Sequence, residues 1–112
     1  MAEHSGQEEL RGSVSELAAL VDYQEGSVVS RIIMRAPTGS VTLFAFDAGQ
    51  ELSEHTTPYD ALVHVVDGQA DIVISGQSQR VEGGEIIIMP ANEPHAVKAP
   101  ARFKMLLTMI RA

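Results

Sequence analysis

Cysteine is absent from the 112 residues, which excludes disulfides, zinc–thiolate sites and thiol catalysis together. Tryptophan is absent too and aromatics reach only 4%, so the core has to be filled mostly by Val, Ile, Leu and the five methionines. Basic residues are scarce: 8 Lys and Arg stand against 15 Asp and Glu, a formal net charge of -7. That balance excludes nucleic acid as a partner, because phosphate neutralisation needs clustered cations. No apolar run approaches the roughly 18 residues that span a membrane. The opening stretch from Met1 to Glu9 is polar and acidic, unlike a basic and then apolar leader, so the expected setting is the cytoplasm.

What is present fits one domain. Hydrophobic residues make up 45%, and a chain of this length buries roughly two-thirds of its unfolded surface. Residues 1–12 read as a polar tail, and His4 within it is assigned no role. Residues 13–112 read as a single domain opening with a short helix or turn, capped by Ser13 or Ser15, with Leu17, Leu20 and Val21 at helical spacing. From Val28 onward the chain becomes short β-rich runs. Strands are expected near residues 28–34, 41–46, 51–55, 61–66, 70–74, 79–81, 85–89, 95–98 and 102–110. Pro37-Thr38-Gly39, Asp47-Ala48-Gly49, Asp67-Gly68, Ser75-Gly76, Gly83-Gly84 and Pro90-Ala91-Asn92 separate them as turns. Many short strands without a long helix predict an all-β antiparallel sandwich or barrel.

Alternation in the last strand puts Phe103, Met105, Leu107 and Met109 on one face, and Lys104, Leu106, Thr108 and Ile110 on the other. The second face is half apolar, so it needs a cover. Either a second copy or the N-terminal segment would serve, and a homodimer is expected through Val29, Ile33, Leu106 and Ile110.

Two glycine-led segments each end in a histidine: Gly49 with His55, and Gly84 with Pro90 and His95. Gly68, preceded by Asp67, closes the first segment. This spacing resembles the two motifs of the cupin superfamily, small single-domain type, over about residues 28–110. The family pattern carries a second histidine where Thr57 stands, a glutamate at Ala61, a glycine at Asn92 and an asparagine at Ala99. Asn92 is a mild departure, since asparagine tolerates the left-handed turn conformation. The resemblance implies a double-stranded β-helix (jelly-roll barrel) enclosing a metal. It also implies dioxygenase, isomerase or sugar-related chemistry on a small molecule.

Neutral imidazole binds Zn, Ni, Fe, Mn or Cu, so His55 and His95 are candidate ligands for one divalent transition metal. His64 is the candidate third. It lies three residues beyond Ala61, so strict alternation turns it to the opposite face, and only a bulge or a different register aims it inward. Asp60 is a substitute carboxylate under a similar condition, or else a turn residue beside Pro58 and Tyr59. Thr57, Tyr59, Asp60 and Met105 are the pocket candidates, with Tyr59 a potential hydrogen-bond donor to a ligand. The competing reading is a non-catalytic barrel that binds a small ligand or merely dimerises, with His55 and His95 hydrogen-bonded to water and His64 an ordinary strand residue. The absent ligands at Thr57 and Ala61 favour it.

Overall fold

A computed structural model describes residues 2–5 and 10–111. They form nine strands: β1 (Ala2–Ser5), β2 (Val28–Ala36), β3 (Gly39–Phe46), β4 (Glu51–His55), β5 (Asp60–Ile74), β6 (Gln77–Glu82), β7 (Ile86–Met89), β8 (His95–Lys98) and β9 (Phe103–Ile110). One sheet runs β1-β2-β3-β9-β5-β7 and the other β6-β5-β8-β4. All pairings are antiparallel except β1 with β2. The sheets share β5 and face each other across one core, the jelly-roll barrel expected from the sequence.

Strand β5 shows how the barrel closes. The sequence reads as two strands with a turn at Asp67-Gly68, but residues 60–74 are one strand. Its first half pairs with β9 and β7, its second with β8 and β6. The register slips between Val65 and Asp67, and Gly68 has φ +75. A side chain at Gly68 would run into the Arg102 carbonyl. The bulge and glycine therefore bend one strand from sheet to sheet where a turn would have ended it.

Alternation then fills the interior. Ala61, Val63 and Val65 point inward and are buried, while Leu62, His64 and Val66 are half-buried on the other side. Against the inward row pack Ile72, Val97 and Met105, all fully buried, and the stacked rings of Phe46 and Phe103, whose centroids are 4.5 Å apart. All three phenylalanines enter this core, so aromatics do more there than their number implied. Of the methionines, Met89 and Met105 are buried, Met109 packs at the edge of the core and Met34 is exposed.

The N-terminal segment covers part of the outer face. Leu17–Leu20 form one 3-10 turn. Glu16 occupies the cap position without a side-chain hydrogen bond, so neither Ser13 nor Ser15 caps it. Leu17, Leu20, Val21 and Tyr23 pack on Val29, Ile33, Leu43 and Leu106. Lys104 Nζ donates to the Ala18 carbonyl at 2.6 Å, and Tyr23 donates to Asp67 Oδ2 at 2.6 Å. Burial, first, and the neighbouring Asp67 carboxylate push the Tyr23 phenol upward. Val29, Ile33 and Leu106, expected at a dimer interface, thus pack within their own chain. The polar stretch before it contributes β1, which brings His4 opposite Arg31 in register.

Candidate metal centre

His55 ends β4 and His95 begins β8, and the two pair directly across the sheet. A register shift between Leu52 and His55 brings His55 directly opposite His95, so that the two share a face, with His95 buried and His55 exposed at the strand end. Their Nε2 atoms lie 3.1 Å apart, well inside the separation of about 5 Å that a shared metal requires. The rings meet edge to face at 76°.

The other ring nitrogens fix the protonation pattern. His55 Nδ1 lies 2.8 Å from the Ser53 carbonyl, and His95 Nδ1 lies 3.2 Å from that of Glu93. A carbonyl only accepts, so each Nδ1 carries the hydrogen and donates it. With both rings neutral the two Nε2 lone pairs face one another; with one ring protonated its Nε2–H donates to the other. Two neutral lone pairs at this distance repel, and a cation between them removes the repulsion. An imidazole anchored through Nδ1–H to a carbonyl, with Nε2 free, is the usual posture of a metal-ligating histidine. With bonds of about 2.1 Å, ligands at right angles lie about 3.0 Å apart and tetrahedral ligands about 3.4 Å. The pair fits adjacent positions on one ion. Burial, and secondarily His55, hold the His95 pKa below the ordinary imidazole value, which keeps a lone pair available near neutrality.

The backbone holds the pair. Asn92, at φ +66 in the left-handed conformation anticipated for it, donates its N–H to the Thr57 carbonyl at 2.7 Å. Ala91 N–H donates to Asp60 Oδ1 at 2.9 Å. These bonds tie the loop after His55 to the loop before His95.

The remaining candidates separate. His64 pairs with Ile86 and Leu106 on the outer face, on the opposite side from Ala61 and Val63. The bulge in β5 comes after it, between Val65 and Asp67, and so does not aim it inward. Asp60 is committed to Ala91, and Thr57 Oγ1 donates to the Tyr59 carbonyl at 3.2 Å. Met105 is core, fully buried with Phe44, Val65 and Phe103. Among the described residues, no third His, Cys, Asp or Glu joins the histidine pair. The Tyr59 ring carries the Arg111 guanidinium 5.2 Å above its centre, a contact that no motif in the sequence announces. The position of Arg111 two residues beyond inward-facing Met109 was the available signal.

A barrel of two shared sheets with paired histidines at its strand ends defines the cupin class. The family model described as Cupin domain matches residues 42–110, and the chain belongs to that family. A conserved protein of unknown function from Streptococcus pyogenes is 35% identical with TM-score 0.86, covering 90% of this chain and 89% of its own. A cupin 2 conserved barrel domain protein from Leptotrichia buccalis is 41% identical with TM-score 0.82, covering 85% of this chain and 46% of that one. Salicylate 1,2-dioxygenase from Pseudoaminobacter salicylatoxidans, at 17% identity and TM-score 0.67 over 74% of this chain and 26% of that one, shares the fold alone. No curated protein matches the chain by sequence. Among the described residues no helix is long and apolar enough to cross a membrane.

Proposed function

We propose that this cupin holds one divalent transition metal through His55 and His95 and binds a small molecule there. The observation that carries the reading is the 3.1 Å approach of two Nε2 atoms whose Nδ1 partners are both backbone carbonyls. Such an ion would act as a Lewis acid on a ligand oxygen or activate dioxygen. The chain's own part is to fix both imidazoles in the Nδ1–H tautomer and to hold their loops together through Asn92 and Asp60. With two protein ligands, most coordination positions fall to water or ligand, so retention should be weaker than in a four-ligand site. Metal content after identical loading with Zn, Ni, Fe, Mn or Cu tests it: wild type retains about one equivalent of at least one metal, and His55→Ala and His95→Ala lose it. Wild type that takes up none would sink the reading.

A second reading, a barrel that binds a small ligand or dimerises without metal, is favoured by Ala61, buried against Met89 where the family places a glutamate. It predicts no metal uptake. A homodimer in the cytoplasm belongs to either reading. What supports the dimer is the outer face, where Met34, Ile86, Ile88 and Ile110 are each more than half exposed.

A further inference from the structure

We propose that Ser75, in the turn between β5 and β6, is a positioning residue for His95. It acts through the Glu93–Pro94 peptide, whose carbonyl accepts the His95 Nδ1 hydrogen. Its effect on metal affinity rests on the reading given above, whereas its effect on the imidazole belongs to the chain alone.

The two histidines are anchored unequally. The acceptor for His55 is the Ser53 carbonyl at 2.8 Å, inside β4 itself. The acceptor for His95 is the Glu93 carbonyl at 3.2 Å, and Glu93 lies in the loop that precedes β8. A separation of 3.2 Å is the long end of the N–H···O range, so this bond tolerates little further movement. Within the loop, the Glu93 N–H reaches the Pro90 carbonyl only at 3.4 Å, and Pro94 has no N–H to offer. Firm support has to come from elsewhere in the chain.

Ser75 supplies it on both sides of that peptide. Its Oγ donates to Glu93 Oε1 at 3.0 Å, and its backbone N–H donates to the Pro94 carbonyl at 2.8 Å. Ile74 pairs directly with His95, so the turn stands beside the ligand. Ser75 holds φ +48, in the left-handed region where glycine or asparagine is the relaxed choice. Among the described non-glycine residues only Ser75 and Asn92 have positive φ, and both brace the loop that leads into His95. Backbone strain concentrated on one loop points to a geometry the fold has reason to hold.

The chemical consequence lies at the far side of the ring. With the Glu93 carbonyl held, Nδ1 keeps the hydrogen and Nε2 presents a lone pair, the state a metal ligand requires. With the carbonyl displaced, the hydrogen is free to sit on Nε2, where it blocks coordination.

Long-range proton–nitrogen spectra of metal-free, 15N-histidine-labelled protein at about pH 8, above the ordinary imidazole range, read the tautomer, and zinc titration reads affinity. Wild type should show His95 in the Nδ1–H form. Ser75→Ala and Glu93→Ala should each add the Nε2–H form and weaken zinc about fivefold, as loss of one hydrogen bond implies. Both side chains are exposed, so neither change opens a core cavity. The double variant should lose no more than either single one, since both remove the same bond. Glu93→Gln keeps the acceptor and should behave as wild type. Ser75→Gly relieves the strained φ while removing the hydroxyl, so it should fold at least as well and still disturb the tautomer. The His55 tautomer should stay fixed throughout. The proposal is overturned if His95 keeps a single Nδ1–H form in both Ser75→Ala and Ser75→Gly, if His55 changes together with His95, or if the two single losses add in the double variant. If wild type takes up no zinc, the tautomer still decides the positioning role, and only the metal reading fails for that ion.

Discussion

Asn92 donates its backbone N–H to the Thr57 carbonyl at 2.7 Å, joining the two loops that present His55 and His95. Asn92 holds φ +66 to do so. A β-branched residue resists that conformation and glycine accepts it freely. Asn92→Val should therefore cost about 1–2 kcal/mol in urea unfolding, while Asn92→Gly stays within about 1 kcal/mol of wild type. Equal losses for both would mean that the side chain, not the backbone geometry, matters there.

His64 offers the sharpest contrast among the histidines. His64→Ala should leave metal content unchanged, because that side chain lies on the outer face of β5. Loss of metal from His64→Ala comparable to His55→Ala would contradict the strand register.

Binding requires deprotonated imidazoles, so metal occupancy should fall as pH drops through about 6. For the metal-free fold the sign follows from His95, whose pKa lies below the ordinary 6.5. Between its folded value and 6.5 the unfolded chain binds more protons than the native one, so stability declines as pH falls through that window. The decline should vanish in His95→Gln. A pH profile of urea midpoints with the same slope in both proteins would refute the assignment.

Gly68 bends β5 between the sheets, and a methyl group there meets the Arg102 backbone carbonyl at a positive φ. Gly68→Ala should destabilise by about 2 kcal/mol or more, since neither strain nor clash is relieved by a side-chain move. Thermal unfolding within a degree or two of wild type would show that the bend relaxes easily.

If the outer face of β5, β7 and β9 is a dimer interface, Ile88→Asp should yield monomers without loss of fold. Ile88 is 58% exposed, pairs with Leu62 and takes no part in the core. Sedimentation at micromolar concentration reads the result, and a monomeric wild type would end the proposal.

The class of fold, and His55 and His95 as candidates through their resemblance to the cupin motifs, were legible in the residues alone. Period-two alternation, glycines with left-handed freedom and the spacing of Gly49–His55 and Gly84–His95 are local properties, written in neighbouring residues. Even Asn92 could be assigned its conformation from residue type. The slips were decided elsewhere. Asp67-Gly68 looks like a turn, and becomes a bulge because β5 exchanges β9 and β7 for β8 and β6 at that point. The face of His64 waited on where that bulge fell. The slips at Leu52/His55 and Ile32/Met34 set which residues of the facing strands His55 and Arg35 meet. A bulge is a mismatch between two paired strands, so it belongs to the pairing and to neither strand alone. Side-chain direction at those positions therefore emerges only when distant segments of the chain meet.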